Sequence, residues 1–384
     1  MRRLILLVSV LVFVDTMLFA ALTPLVPHLA RELDLSKGAS GALVAAYAAG
    51  ALIGGIPGGV ASVRLGPRRA IFVGLTLMGC TSLGFALANS FGTLLAARLA
   101  QGLGSAFTWS GAFSWLLAAA PRERRGEMIG RAMGAAVFGA LMGPVVGAVA
   151  AVAGRESVFA ALSALSLILM FLTSQIAPAP REGPSASRLG SAFRDERFRT
   201  GLALLSLGAL LSGIITVLCS LHLAAGGWSA TAIGAVWLVG AAIEGVQSPL
   251  VGRVSDRRGP LTPVRVALGG ATVISLGLAV SPIVGVYAVL VVAASVFYGL
   301  LFTPSFALIA EGAEDAGLAQ GLAFGIMNAA WAVGAAIGPA AGGAIAGATG
   351  DWLPFVIAAT ICAVVLARVQ ERGVHVPAAV PAER

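Results

Sequence analysis

Three ionisable side chains lie inside long apolar stretches of this sequence and are the first candidates for chemistry. Asp15, Arg98 and Glu244 each sit in a run of mainly apolar residues that is long enough to cross a membrane. Asp15 follows Arg3 by twelve residues and Glu244 precedes Asp256 by twelve, which on a helix places both carboxyl groups ~18 Å from one membrane face. Loss of water at that depth favours the protonated form of a carboxyl group. The pattern predicts proton-exchanging acids, with Arg98 favouring ionisation of any acid that it meets.

A structural role is the alternative for both acids. Each carboxyl group would then pair with polar neighbours and fix helix packing, and Gln247 lies one turn from Glu244. The two hypotheses differ in whether removal of the charge stops proton-driven activity.

The composition requires a membrane around these residues. Of the 384 residues, 58% are hydrophobic and 11% are charged, too few charges to cover a soluble protein of this length. Because lipid offers no hydrogen-bond partner to the backbone, the apolar segments must be helices. The first segment resembles a secretory signal peptide, but we expect it to be retained as a helix because its apolar run continues to Pro27. Twelve spans are predicted, at 4–28, 39–62, 70–88, 92–119, 128–152, 157–177, 200–224, 231–251, 264–281, 284–309, 318–345 and 352–367.

The positive charges predict the orientation of these spans. With the amino terminus on the cytoplasmic side, all Lys and Arg residues except Arg31, Lys37, Arg98 and Arg155 fall in or near cytoplasmic segments, as the positive-inside rule requires. We therefore expect a multi-pass protein of a bacterial plasma membrane, that is, a cell inner membrane, with both termini in the cytoplasm.

The chain repeats itself at an offset of about half its length. The turn GGVASVRLGP at 58–67 recurs as VGRVSDRRGP at 251–260, and the glycine and proline pattern at 130–147 recurs at 325–342. Two six-helix halves in one orientation are typical of transporters with a site between the repeats. The predicted divisions are a bundle at 1–177, a cytoplasmic linker at 178–199, and a second bundle with a short tail at 200–384.

Four motifs carry a resemblance to a known family. They are G-x-x-x-D-R-x-G-[RP] at 252–260, R-x-x-Q-G-x-G at 98–104, the glycine and proline pattern of helix 5 at 130–147, and P-x-x-P at 24–27. Together they resemble the major facilitator superfamily, and most closely its twelve-helix drug:proton antiporter branch. Val63 replaces the acid of the motif in the first half, and Ala148 replaces the last glycine of the helix 5 pattern.

The resemblance implies an all-α membrane fold of two pseudo-symmetric six-helix bundles and secondary active transport by alternating access. It implies proton-coupled export of small organic molecules, such as drugs or metabolites, and a proton-coupling role for Arg98. Because helix 11 repeats the helix 5 pattern, its glycines also suit close helix packing alone. A facilitator or proton symporter that takes up a small solute such as a sugar is therefore the alternative.

Polar and aromatic residues within the spans are candidates for the substrate cavity. Gate residues are expected where basic and acidic loops of the two halves meet on the cytoplasmic side, and Asp256 with its arginines is expected near Glu123 and Glu127. The predicted cavity residues are Tyr47, Gln101, Trp109, Gln247, Tyr298, Asn328 and Trp331. The predicted gate residues are Arg64, Arg68, Arg69, Asp256, Arg257, Glu311, Glu314 and Asp315.

Other classes of function lack their sequence signals. The single lysine, Lys37, does not follow glycine, which excludes a G-x-x-x-x-G-K phosphate loop. The three cysteines lie apart without metal-ligand spacing, and no H-E-x-x-H or G-x-S-x-G motif is present. We expect no enzyme activity, receptor function, cofactor or metal. The expected partners are a small-molecule substrate, protons and membrane lipid, with no nucleic acid, and the chain is expected to be a monomer.

Overall fold

The chain folds into helices throughout the part that the structure describes. A computed structural model describes residues 2–119, 125–177, 189–281, 283–318 and 320–373, and all regular secondary structure in these ranges is helical. The first half contains α1 (Arg2–Ala20), α2 (Val26–Glu32), α3 (Lys37–Arg64), α4 (Pro67–Ala86), α5 (Phe91–Ala119), α6 (Arg125–Ala153) and α7 (Arg155–Ser174). After a short helix, α8 (Leu189–Ala192), come α9 (Glu196–Ala225), α10 (Ala230–Arg258), α11 (Leu261–Val280), α12 (Val284–Gly299), α13 (Phe302–Asp315), α14 (Gln320–Thr349) and α15 (Trp352–Gly373). The predicted all-α fold is confirmed.

Eleven segments of the described residues are long and apolar enough to cross a membrane. Two of them are broken helices, since α1 and α2 join through the 3-10 turn Thr23–Leu25 and α12 joins α13 through the turn residues Leu300 and Leu301. Twelve spans were predicted, and helix α5 is not among the eleven, although its 29 residues exceed the length needed to cross the bilayer. It carries Arg98 and Gln101, which are buried where α5 packs against α3 and α4.

The seventh span begins earlier than its apolar pattern indicates. Helix α9 begins at Glu196, four residues before the predicted start at 200, because the side chain of Asp195 caps it and accepts a hydrogen bond from the Phe198 amide at 2.8 Å. Residues 196–199 of the predicted linker at 178–199 therefore form the first turn of α9. Residues 178–188 of the predicted linker lie outside the described residues.

The repeated turn has the same backbone conformation in both halves. Gly66 has φ 92° and ψ 153°, and Gly259 has φ 80° and ψ 152°. Side chains other than glycine rarely adopt positive φ, so both copies need glycine immediately before Pro67 and Pro260. This common requirement explains why the two turns share their sequence.

The repeated glycines of helices 5 and 11 permit close packing within each half. A methyl group on Gly143 of α6 would overlap Ala20 of α1, and one on Gly338 of α14 would overlap the backbone of Leu210 in α9. The same two contacts also carry matching hydrogen bonds, from Thr16 Oγ1 to the Ala136 carbonyl at 2.8 Å and from Ser206 Oγ to the Ala330 carbonyl at 2.7 Å. Because both halves use the pattern for packing, the pattern has a structural role besides any part in the direction of transport.

Candidate functional site

A cavity of about 240 Å³ lies between the two halves of the protein. Its lining comes from helices of both repeats, as expected for a site at a repeat interface. The lining residues are Phe19, Ala20, Leu22, Thr23, Val44, Arg98, Ala140, Pro144, Ala209, Ser212, Gly213, Ile215, Thr216, Trp237, Ala241, Glu244, Ser295, Phe302, Trp331 and Ala335.

Both broken helices contribute residues to this cavity at their breaks. Helix α1 ends at Ala20, so Phe19 and Thr23 flank the first break, and Phe302 begins α13 after the second. Irregular backbone at membrane depth is tolerated where it is buried in protein or lines a cavity. The breaks therefore mark the position of the cavity in each half.

The halves are packed together at one end of the molecule, which we call the closed end. There α3 crosses α14, and Gly41 lies so close to Pro339 that a methyl group on Gly41 would overlap the Pro339 carbonyl. An ion pair joins Lys37 of α3 to Asp351 at 2.5 Å, and His222 of α9 lies 3.8 Å from the same carboxylate. The closed end carries the arginine-poor loops that were predicted to face outward.

At the opposite, open end the same helices separate. Methyl groups built on Gly55 and Gly59 of α3, or on Gly325 of α14, would meet no atom within 4 Å. Among the described residues, one aromatic contact joins the halves at this end, where the rings of Phe113 in α5 and Phe324 in α14 stack with centroids 4.8 Å apart. The structure is thus a state with the arginine-poor end closed and the arginine-rich end largely open.

The ion pair at the closed end should favour this state by a modest amount. We expect Asp351→Asn to raise the population separated at the closed end by up to about fivefold, because a partly exposed ion pair contributes roughly 0.2–1 kcal/mol. Spin labels on the exposed positions of Asp34→Cys and Thr349→Cys would report the separation, with the exposed Cys80 first replaced by serine. Exchanging the charges, Lys37→Asp with Asp351→Lys, should restore the original distances, and an unchanged distribution in Asp351→Asn would contradict the role of the pair.

Asp15 lies in a buried polar centre formed by α1, α3 and α5. Only 2% of the residue is exposed. Its Oδ2 accepts hydrogen bonds from Ser105 Oγ at 2.8 Å and from Trp109 Nε1 at 2.7 Å, whereas its Oδ1 has no hydrogen-bond partner among the described residues. The unpartnered oxygen can accept a proton without disturbing the two existing bonds.

Arg98 lies in the same polar centre, where Tyr47 contacts both Arg98 and Asp15. Its guanidinium carbon lies over the ring of Tyr47, 4.8 Å from the centroid, and the Tyr47 hydroxyl donates to the Asp15 carbonyl at 3.5 Å. Its Nη1 donates to Gln101 Oε1 at 3.0 Å and to the Leu18 carbonyl at 3.2 Å, and its Nη2 donates to the Phe19 carbonyl at 3.2 Å. The arginine is therefore attached to the last turn of α1, next to the cavity.

Glu244 lies across the cavity in the second half, on α10. Its carboxyl group packs against Gly299, the last residue of α12, where any side chain would collide with it. Its main-chain carbonyl accepts from Ser248 Oγ at 2.9 Å. The two predicted acids therefore have different surroundings, since Asp15 is enclosed by donors and Glu244 lines the open cavity.

Of the predicted cavity residues, Trp331 lines the cavity and the others lie elsewhere. Tyr47 and Trp109 contact Asp15 or its backbone, and Asn328 is half-buried on α14 outside the lining set. Gln101 bonds Arg98 and Ser82, Tyr298 bonds Ser275 and Gln247 bonds the Val296 carbonyl, each within its own half. The reason is that polar residues satisfy one another between helices of one bundle, and a single sequence does not reveal which face of a helix meets the cavity.

Several lining residues were not predicted. They lack the charge or isolation that marks a residue in sequence, and the helix breaks beside Phe19 and Phe302 are the signal that points to two of them. The unpredicted polar and aromatic lining residues are Phe19, Thr23, Ser212, Thr216, Ser295 and Phe302.

Among the described side chains, the predicted gate residues form no ion pair with one another in this state. Arg68 donates to the Ser174 carbonyl at 2.7 Å within its own half, and Arg197 at the start of α9 lies 3.8 Å from Glu311 and 3.3 Å from Asp315. Arg64, Arg69, Arg257 and Glu314 are exposed. The side chains of Asp256 and Glu127, and all of Glu123, lie outside the described residues. Pairing across the arginine-rich end belongs to the opposite state, with that end closed, and stays a prediction.

No group of three or more His, Cys, Asp or Glu side chains that could hold a metal occurs within the described ranges.

The family model described as Major Facilitator Superfamily matches residues 8–324 of this chain. A curated relative, the probable vesicular acetylcholine transporter-B of Danio rerio, is 34% identical over 114 residues, which span 28% of this chain and 23% of the relative.

Solved transporter structures share the fold across nearly the whole chain. A bacterial homolog of the human lysosomal transporter Spinster, in an inward-facing and unoccupied conformation, matches with a TM-score of 0.74 and 16% identity over 95% of both chains. The xylose transporter XylE from E. coli matches with a TM-score of 0.73 and 14% identity over 97% of this chain and 98% of that one. A D-xylose-proton symporter matches with a TM-score of 0.69 and 16% identity over 94% of this chain and 97% of that one. With its helical architecture, its inter-repeat cavity and a family match over most of its length, the chain belongs to the major facilitator superfamily and is a multi-pass membrane transporter.

Proposed function

We propose that this protein is a proton-coupled secondary transporter that exports small organic molecules by alternating access. The observation that carries the proposal is Asp15, a carboxyl group buried in a membrane-spanning helix with one oxygen unpartnered. Ionisable groups within spans are costly and mark ion and proton pathways. One oxygen is held by Ser105 and Trp109 while the other can take a proton, which suits a carboxyl group that alternates between its two forms.

The polar centre can transmit the protonation of Asp15 to the cavity. Protonation removes a negative charge from the centre that also contains Arg98, which weakens the electrostatic hold on the guanidinium. Because Arg98 bonds the carbonyls of Leu18 and Phe19, a shift of Arg98 moves the end of α1. Phe19 itself lines the cavity. Proton binding and substrate binding thereby act on one element, which is the requirement for coupling.

Export is proposed from the glycine and proline pattern at 130–147, which resembles the antiporter motif of helix 5. The curated relative that matches part of the chain is named for acetylcholine, a small organic molecule. Proton-coupled uptake is the second candidate, because α14 carries the same glycine packing as α6 and one structural neighbour is a proton symporter.

The sign of a proton movement distinguishes the two candidates. Purified protein in vesicles with a pH-sensitive dye in the lumen would receive an aromatic quaternary ammonium or D-xylose outside. For an antiporter we expect the ammonium to make the lumen more alkaline, because a proton leaves as the substrate enters. Acidification on addition of either probe would support symport, and no pH change with both probes would contradict proton coupling. Vesicles without protein give the baseline.

A further inference from the structure

The ionisable residues that line the cavity differ in what they leave free for a substrate. Arg98 and Glu244 are the two ionisable members of the lining set, one from each half. A substrate held between them would meet one positive and one negative group. Their existing partners decide which of the two is available.

The guanidinium group of Arg98 already forms hydrogen bonds within the protein. Both of its terminal nitrogens donate to groups of α1 and α5, and its guanidinium lies over the ring of Tyr47. Only 1% of the residue is exposed. An anionic substrate would have to replace bonds that hold α1 and α5 together, so Arg98 is a poor anion site in this state.

The Glu244 carboxyl group has no ion-pair or hydrogen-bond partner among the described residues. The Ser248 hydroxyl bonds the main-chain carbonyl of Glu244 and not its carboxyl group. Gly299 leaves the space that the carboxyl group occupies beside α12. A charge in a span without a protein partner is costly, and a cation brought by a ligand would provide the missing partner.

The rest of the lining suits the body of such a ligand. Four aromatic residues, Phe19, Trp237, Phe302 and Trp331, line the same cavity, and aromatic rings attract cations over their faces while packing against apolar groups. A volume of about 240 Å³ equals roughly eight water molecules, enough for a small organic molecule.

We propose that Glu244 determines substrate charge and that the cavity takes small organic cations, namely quaternary or protonated amines with an aromatic or alkyl body. This inference rests on the proposed transport function and assigns the two acids separate tasks. Asp15 carries the proton within the first half, and Glu244 recognises the cation from the second half.

A cation and an uncharged molecule of the same shape test the proposal, with an anion of similar size as a third ligand. We would titrate detergent-purified protein with (3-hydroxyphenyl)trimethylammonium, with its uncharged isostere 3-tert-butylphenol, and with the anion 3-hydroxybenzoate, using calorimetry. The wild type should bind the cation at least about tenfold more tightly than the isostere. Glu244→Gln should reduce this preference to about threefold or less without changing affinity for the isostere, whereas Glu244→Asp should retain part of it.

Glu156→Gln is the matched control, because Glu156 is exposed at the start of α7 and lies outside the cavity. It should keep the full preference for the cation. Four results would each overturn the proposal. In three of them the wild type binds cation and isostere equally, binds the anion more tightly than the cation, or binds none of the three ligands. The fourth is an unchanged preference for the cation in Glu244→Gln. A Glu244-dependent preference without any proton movement would support charge selection and reject the proposed proton coupling, so the two failures are distinguishable.

Discussion

Asparagine in place of Asp15 is expected to reduce pH-gradient-driven transport by about tenfold or more, within the range of coupling between two ligands of one protein. Asparagine has the size of aspartate and its side-chain oxygen still accepts from Ser105 and Trp109, so the contacts of α1 with α5 are retained. It cannot bind and release a proton. The variant should therefore fold and bind substrate normally but should no longer respond to the gradient.

The measurement compares gradient-driven uptake into vesicles with exchange of labelled for unlabelled substrate at equal pH, using the aromatic ammonium as the probe. The rate of substrate exchange should stay within about threefold of the wild-type rate. The variant loses the coupling free energy between proton and substrate but keeps its affinity for the substrate. Asp34→Asn is the matched control, since Asp34 is exposed and its φ of 48° suits asparagine equally well. Full gradient-driven uptake in Asp15→Asn would show that the carboxyl group only fixes helix packing.

Valine in place of Gly41 is expected to prevent the closed end from closing. A side chain there would overlap the carbonyl of Pro339 and approach Gly343, and backbone atoms cannot move aside as a flexible side chain would. Overpacking of this kind costs about 1–3 kcal/mol, which corresponds to a shift of roughly 5- to 150-fold in the ratio of the two states. Transport should fall in proportion, because alternating access requires both states.

Electron paramagnetic resonance distances between labels on Asp34→Cys and Thr349→Cys would lengthen in Gly41→Val. The control is Gly84→Val on α4, where an added methyl group would meet no atom within 4 Å. This control tests whether valine in a glycine-rich helix is harmful in itself. Distances in Gly41→Val that match the wild type would contradict the proposed function of the α3–α14 contact.

The helices and their repeat were largely predictable because they follow from local properties. Apolar length determines where a helix crosses the bilayer, and the positive φ of Gly66 and Gly259 explains the repeated turn. The start of α9 was missed because a cap at Asp195 extends the helix beyond its apolar part. The breaks in the first and tenth spans were missed because apolar patterning does not distinguish a continuous helix from an interrupted one.

By itself the sequence determined the class of protein and placed Asp15, Arg98 and Glu244 within apolar spans, because charge and hydropathy are properties of single residues and short segments. The tertiary structure alone decided which polar residues meet one another. Gln101 and Tyr298 were candidates for the cavity on equal terms with Trp331, yet the first two satisfy neighbours inside their own bundles. Side-chain partners depend on how helices rotate and cross, and those angles arise from packing of the whole bundle.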